Sequence, residues 1–121
     1  YCGAPLNPRM VEGQLEGATV NGISFALTEE LLFDENGRIT NPSFWDYKIY
    51  TAADIPKMKT FIIDSFEPTG PFGAKSIAEI GINGPAPAIA NALFDAVGIR
   101  VFDLPLTPEK VLREIRRLEI S

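Results

Sequence analysis

The stretch from Gly70 to Gly98 constrains the fold of this chain most strongly, because glycine and proline interrupt its first half at short intervals. Four glycines and three prolines stand between positions 70 and 87: Gly70, Pro71, Gly73, Gly81, Gly84, Pro85 and Pro87. These residues oppose regular structure, so the sequence predicts a loop and then a helix that starts near Pro87, where proline suits a first turn. Gly98 fits the C-terminal cap of this helix.

One carboxylate within the loop, Glu79, has the apolar neighbours Ile77, Ala78 and Ile80. A carboxylate in such surroundings is either desolvated or held by a specific partner, and this is how a general base is made. The alternative is that Glu79 caps the next helix or faces water. Composition alone favours that alternative.

A first helix is indicated from Pro8 to about Glu30, because apolar residues recur there at roughly helical spacing. Asn7 and Pro8 suit a cap and a first helical turn. Glycine weakens a helix interior by about 1 kcal/mol relative to alanine. We therefore expect the glycines of this helix to permit close approach of another helix or of a cofactor; they are Gly13, Gly17 and Gly22.

Four segments predict extended structure. Asn36-Gly37 indicates a hairpin with a type I′ turn, in which both central residues have positive φ. Alternating aromatic residues from Phe44 to Thr51 indicate a strand with one face in the core, and Thr60–Ile63 and Ile99–Phe102 are further strand candidates. With a C-terminal helix starting at Thr107-Pro108, we expect an α+β fold: antiparallel strands packed against two longer helices, with the third helix closing the domain.

The bulk properties limit the function classes. The chain has 121 residues, which suits a single domain over 1–121, and its 11 basic and 16 acidic residues give a net charge of −5. Basic residues form no stripe, so nucleic acid and anionic membranes are not expected partners. No apolar run approaches the ~20 residues that span a bilayer, and no stretch resembles a secretory signal, so we expect a cytoplasmic protein. A lone cysteine and no histidine leave no zinc or iron–sulfur ligand set, so we expect no metal ligands here.

Four separated segments resemble the molybdenum-binding subunit of the molybdenum hydroxylases, the family of xanthine dehydrogenase and aldehyde oxidase. In chain order they are Leu6–Pro8, Val11–Ala18, Gly73–Ala92 and Leu104–Val111. Together they cover nearly the whole chain. The sequence is most similar to the bacterial branch that hydroxylates purines or nicotinate, because Glu79-Ile80-Gly81 stands where xanthine dehydrogenases usually have glutamate-proline-proline.

The resemblance implies a role for particular residues. Glu79 would be the general base when water is used to hydroxylate an electron-poor carbon beside a ring nitrogen, or an aldehyde. The molybdopterin-type molybdenum cofactor would be contacted by Gln14, which the residues alone predict to be a solvated surface side chain, and by the segment Lys75, Ser76, Ile77 and Ala78.

The resemblance also implies partners. The matching region of the family is the C-terminal end of a larger molybdopterin-binding subunit, and this chain begins with Tyr1 rather than methionine. We therefore expect a C-terminal fragment that is inactive alone, with the remainder of that subunit as its partner. Iron–sulfur clusters and FAD would lie on partner domains or subunits. The substrate would be a small molecule, and a homo-oligomer is compatible with these features.

Two other interpretations stay open. Ser76 and Ala78 stand where the family often has glycine, and an added methyl group narrows the options of the backbone. This departure favours a catalytically silent scaffold or subunit-assembly module of the same fold. A nucleotide-binding loop over Gly70–Gly84 ranks last, because it lacks the glycine-lysine-serine or threonine ending of a P-loop.

Overall fold

Helices form the ordered frame of this protein. The computed structural model describes residues 1–120, in which α1 spans Pro8–Leu27, α2 spans Pro85–Val97 and α3 spans Pro108–Ile120. Two short 3₁₀ helices, Pro71–Gly73 and Ile80–Asn83, lie between α1 and α2. None of the helices within residues 1–120 is long and apolar enough to cross a membrane.

The start of α1 confirms the predicted cap. Asn7 is extended, and its side-chain oxygen accepts a hydrogen bond from the Met10 amide at 3.2 Å, while Pro8 occupies the first turn. The helix ends at Leu27, where the Thr28 amide donates to the Ser24 carbonyl at 2.9 Å. α1 therefore ends three residues before the predicted Glu30.

Gly22 allows α2 to approach α1 closely. A Cβ atom on Gly22 would lie 2.6 Å from Pro85 Cγ and 2.8 Å from the Ile82 carbonyl oxygen, which is too close for a side chain. The prediction of close approach is confirmed here, whereas Gly13 and Gly17 have nothing within 4 Å of such an atom. α2 begins two residues before the predicted Pro87, and it ends as predicted at Gly98, whose N–H donates to Phe94 O at 2.8 Å.

The antiparallel strands of the predicted α+β fold are not confirmed. Within residues 1–120 the only β pairings are two isolated antiparallel bridges, Gly3 with Ala74 and Phe33 with Ile39. The predicted strands Thr60–Ile63 and Ile99–Phe102 have no ladder, because no neighbouring strand in this part of the chain offers them partners. The predicted strand Phe44–Thr51 begins instead with a turn closed on the Ser43 carbonyl.

The hairpin at Asn36-Gly37 forms, but its turn differs from the predicted type I′. Among non-glycine residues 1–120 only Phe72 has positive φ, so Asn36 does not, whereas Gly37 has φ of 75°. The Gly37 amide donates to the Asp34 carbonyl at 3.0 Å, and Asp34 Oδ1 accepts from the Asn36 and Arg38 amides at 2.8 Å each. The aspartate thus stabilises a turn with a single left-handed residue.

The buried core is small and lies along α1. Its apolar members are Cys2, Val11, Ala18, Ala26, Ile99 and Leu106. Phe44 and Trp45 are exposed, so the prediction that these aromatic residues pack in the core is wrong for residues 1–120. No element within residues 1–120 covers these two side chains, which are 78% and 86% exposed.

α3 is joined to the end of α1 by a few polar contacts. The Leu106 amide donates to the Ala26 carbonyl at 2.6 Å, and Lys110 Nζ lies 3.3 Å from Glu30 Oε1. Thr107 Oγ1 accepts from the Lys110 amide at 3.3 Å, which confirms the predicted start of this helix.

Candidate cofactor cleft

The segment 74–78 is held in place by the N-terminal residues. The Ala4 amide donates to the Gly73 carbonyl at 2.7 Å, and the Lys75 amide donates to the Cys2 carbonyl at 2.8 Å. These bonds set the segment beside the first turns of α1.

A tight turn delivers the chain to this segment. Phe72 and Gly73 both have left-handed backbone conformations, with φ of 54° and 77°. A Cβ atom on Gly73 would lie 2.2 Å from the Phe66 ring, so only glycine fits at this point. Positive φ is costly for a bulky residue such as Phe72, by about 1–3 kcal/mol, and such strain is concentrated at functional sites.

A cleft of about 480 Å³ opens between α1 and this segment. All five residues predicted to contact a cofactor line it: Gln14, Lys75, Ser76, Ile77 and Ala78. Gln14 is 60 or more positions distant from the others in the sequence. The fold therefore brings together the two regions that sequence analysis had singled out separately.

Gln14 connects the two walls of the cleft. Its Nε2 donates a hydrogen bond of 2.5 Å to the Ala78 carbonyl. Gln14 is exposed, as the residues alone predict, but its amide is fixed by this bond rather than free in solvent. Its side-chain oxygen makes no hydrogen bond with residues 1–120.

The donors around the cleft suit a ligand that is rich in acceptor atoms. Ser76 and Ile77 line the cleft, and their backbone N–H groups have no hydrogen-bond partner in the described chain. The Lys75 ammonium group and the second N–H of Gln14 add to this donor set. A pterin with its phosphate presents acceptors of this kind, so the residues present fit such a group.

Two residues near Lys75, Tyr1 and Glu67, have no signal in the sequence that would place them there. The Lys75 ammonium group lies 4.6 Å from the centre of the Tyr1 ring, and the Tyr1 hydroxyl donates to the Phe66 carbonyl at 3.2 Å. Glu67 completes the group: hydrogen bonds from the Thr69 side chain and amide, then the Lys75 charge, hold the pKa of its carboxyl below its ordinary value. No local signal joins positions so far apart in the sequence.

Glu79 is the next residue in the chain after Ala78, the last residue that lines the cleft. Its side chain is exposed and makes no hydrogen bond or ion pair with residues 1–120. It occupies the cap position of the 3₁₀ helix Ile80–Asn83 without a side-chain capping bond, while its carbonyl accepts from the Ile82 amide at 3.1 Å. Glu79 therefore faces water in this chain, as one of the sequence-based interpretations predicts. It is neither desolvated nor held by a partner within residues 1–120.

Comparison with known proteins identifies the family. A model of the molybdopterin cofactor-binding domain matches residues 2–56. The chain is 41% identical over 118 residues to the probable hypoxanthine oxidase XdhD of Escherichia coli (strain K12), which covers 97% of this chain and 12% of that protein. It is 40% identical over 119 residues to the 6-hydroxypseudooxynicotine dehydrogenase complex subunit gamma of Paenarthrobacter nicotinovorans, covering 96% and 15% of the two chains. The chain belongs to the molybdenum hydroxylase family.

The fold agrees with this membership. Superposition on quinoline 2-oxidoreductase from Pseudomonas putida 86 gives a TM-score of 0.88 at 29% identity, over 95% of this chain and 15% of that one. The chain thus has the fold of a molybdopterin-binding domain of the molybdenum hydroxylases, and it spans between about one eighth and one sixth of the length of these relatives.

The match to the family model covers only one of the two walls of the cleft. The matched family model includes Asn7 and Gln14 of the α1 wall but ends at residue 56, before the segment 74–78. The alignment with XdhD nevertheless extends over nearly the whole chain. In residues 1–120, no three cysteine, aspartate or glutamate side chains lie together as a metal-binding group.

Proposed function

We propose that this chain is the C-terminal part of a larger molybdopterin-binding subunit, and that the intact enzyme hydroxylates an electron-poor N-heterocycle or an aldehyde with water. The coverage supports a larger parent subunit, because the chain spans only 12% and 15% of two relatives that are about 40% identical. The C-terminal position rests on the resemblance of its segments to the end of that subunit. The names of relatives support the proposed reaction: a probable hypoxanthine oxidase, a nicotine 6-hydroxylase large subunit and an aldehyde oxidoreductase molybdenum-binding subunit.

The cleft is the observation that carries this proposal. When bound, the molybdenum cofactor supplies a two-electron redox centre. Gln14 would hold it through the side-chain oxygen and the N–H that the Ala78 bond leaves free, and Lys75 would offer its ammonium group. Ser76, Ile77 and Ala78 would contribute mainly backbone, with the N–H groups of Ser76 and Ile77 as donors.

Glu79 is the general base in this proposal. It follows Ala78, the last residue of the cleft wall, and its carboxylate is unpaired within residues 1–120. An unpaired carboxylate is free to take a proton from water as the water oxygen bonds to the substrate carbon. The hydrogen of the C–H bond that breaks would leave with its electron pair, for which the bound cofactor would be the acceptor. Covering this site by the remainder of the subunit would remove bulk water and strengthen the effect of the charge.

The proposed partners follow from the same assignment. The remainder of the molybdenum-binding subunit would cover the cleft, and iron–sulfur clusters and FAD on partner domains or subunits would carry electrons away. One relative is described as a subunit of a dehydrogenase complex, which supports a multi-subunit enzyme. We also propose a cytoplasmic location, in keeping with the lone free cysteine, Cys2.

The test is turnover of the full-length enzyme, loaded with cofactor, on hypoxanthine, nicotinate and an aromatic aldehyde. Glu79→Gln should lower kcat by about 10²–10⁴-fold, the usual contribution of a general base, with molybdenum content unchanged. Glu35→Gln at the exposed hairpin tip is the matched control and should retain wild-type kcat.

Two results would contradict the proposal. Wild-type turnover by Glu79→Gln would remove Glu79 from the mechanism. A molybdenum-loaded wild-type enzyme that oxidises no heterocycle or aldehyde would instead favour the silent scaffold, for which Ser76 and Ala78 in place of glycine are the supporting feature.

A further inference from the structure

The 3₁₀ helix after Glu79 rests directly on α1 at Gly81. A Cβ atom built on Gly81 would lie 2.9 Å from the Ala18 Cβ, closer than real Cβ contacts allow. The next nearest atoms belong to Leu15, at 3.6 Å and 3.7 Å, which are ordinary contact distances. Ala18 is buried, so it has little room to move. One methyl group therefore sets how closely this helix approaches α1.

The residue on the other side of Glu79 is held by the same helix. Gln14 Nε2 donates to the Ala78 carbonyl at 2.5 Å. Gln14 and Ala18 are four positions apart, which places them on one face of α1, one turn from each other. Consecutive turns of α1 therefore fix Ala78 and Gly81, the positions one before and two after Glu79.

We propose that Ala18 and Gly81 are positioning residues for Glu79, and that their contact sets the distance of the carboxylate from the cleft. This inference rests on the proposed function, because it takes Glu79 to be the base. Neither residue lines the cleft; their effect passes through the backbone of Ala78–Gly81. A larger residue at position 81 pushes the 3₁₀ helix away from α1 and carries Glu79 with it.

The test is a compensating pair of substitutions in the full-length holoenzyme. Gly81→Ala should lower kcat by about 10- to 100-fold, since a displacement of ~1 Å can cost that much, with KM and molybdenum content close to wild type. Adding Ala18→Gly removes the methyl group that the new Cβ meets. The double variant should recover kcat to within about twofold of Ala18→Gly alone, because residues in contact have coupled rather than additive effects.

A matched control and a structural measurement accompany the kinetics. Gly17→Ala adds a methyl group to α1 next to Ala18, where nothing lies within 4 Å and the backbone is helical, so its kcat should be unchanged. Hydrogen exchange at the Ile82 amide, which donates to the Glu79 carbonyl, should be faster in Gly81→Ala and return towards the Ala18→Gly rate in the double variant.

The outcomes separate this inference from the proposed function. If Glu79→Gln is inactive while Gly81→Ala has wild-type kcat, positioning by Ala18 and Gly81 is wrong and the base assignment stands. If Gly81→Ala is impaired and Ala18→Gly gives no recovery of kcat or of amide exchange, the contact is not the cause and the inference also fails. Wild-type turnover by Glu79→Gln overturns both.

Discussion

Two regions of this chain have similar apolar content but differ in how much of it is buried. The helical region, made of α1, the 3₁₀ helix Ile80–Asn83 and α2, has elements in mutual contact, and its α1 buries Val11, Ala18 and Ala26. The open segment, residues 42–68, leaves Phe44, Trp45, Phe61 and Ile63 between 78% and 86% exposed.

The difference shows that regular structure needs a second layer to pack against. In the open segment, order comes from local polar contacts such as the turn closed on Ser43 and the bonds from Thr51 to Asp54. Longer links to the helical region are also polar: the Tyr47 hydroxyl donates to Glu29 Oε2 at 2.7 Å, and the Tyr50 amide donates to Ser24 Oγ at 3.0 Å. Exposed apolar residues in such numbers mark a surface made to be covered. The open segment therefore carries the side chains of a core without the second layer that would complete one.

The largest expected effect tests whether the remainder of the subunit covers the open segment. Phe61→Ala should leave the free energy of unfolding of the 121-residue chain unchanged, because Phe61 contributes little buried surface there. In the full-length subunit the same change should lower the free energy of unfolding by about 3–5 kcal/mol, the usual cost for a buried phenylalanine. Urea unfolding of both proteins measures the two values.

The control for Phe61 is Lys57→Ala, an exposed charged residue of the same segment. It should change neither protein by more than about 0.5 kcal/mol. Equal effects of Phe61→Ala in the chain and in the full-length subunit would mean that Phe61 gains no contacts from the remainder of the subunit. The contrast between the open segment and the helical region would then not hold.

A smaller effect is expected within the helical region. Gly22→Ala should destabilise the protein by about 1–3 kcal/mol, the usual cost of overpacking, because its Cβ would clash with Pro85 and the Ile82 carbonyl. Gly13→Ala should instead stabilise α1 by up to ~1 kcal/mol, since the space around Gly13 is open. The difference between the melting temperatures of the two variants is the measurement, and variants of equal stability would contradict close packing of α1 on α2.

The smallest effect sharpens the description of the open segment. Hydrogen bonds from the Thr51 hydroxyl and amide lower the pKa of Asp54. The carboxylate thus favours the folded turn above the unfolded pKa, and this contribution is lost as the pH falls through the lower folded pKa. Thr51→Ala should move the pKa of Asp54 up towards its ordinary value, as followed by NMR of the carboxyl carbon.

The matched control for Thr51 is Thr69→Ala, which removes the same kind of bond from Glu67. It should raise the pKa of Glu67 and leave that of Asp54 unchanged. An Asp54 that titrates at its ordinary pKa in the wild-type chain would show that the Thr51 turn is not held.

The sequence predicted the elements that are decided locally. The cap at Asn7, the prolines that open α1 and α3 and the end of α2 at Gly98 were readable, since each depends on a few neighbouring residues. The start of α2 was placed two residues late, at Pro87 instead of Pro85. Strands were not readable in the same way, because Thr60–Ile63 needs a partner that local preference cannot supply. The Asn36-Gly37 turn was assigned to the wrong type because the Asp34 side chain, outside the central pair, decides its geometry.

The candidate site was predictable only through family resemblance. No periodicity or spacing links Gln14 to Ala78, which lie 64 positions apart, and composition favoured a solvated glutamine. Tyr1 and Glu67 were missed beside Lys75 for the same reason, since their proximity arises from the turn Gly70–Gly73. The contact between Ala18 and Gly81 is likewise visible only in three dimensions.

The bond from Gln14 to Ala78 has a thermodynamic consequence. A ligand that accepts from the same Nε2 hydrogen as Ala78 must displace that carbonyl, whereas a ligand that donates to the side-chain oxygen of Gln14 polarises the amide and strengthens the bond to Ala78. Occupancy of the cleft and the conformational freedom of the backbone before Glu79 are therefore linked variables. By reciprocity, whatever orders that backbone changes the affinity of the cleft by the same factor.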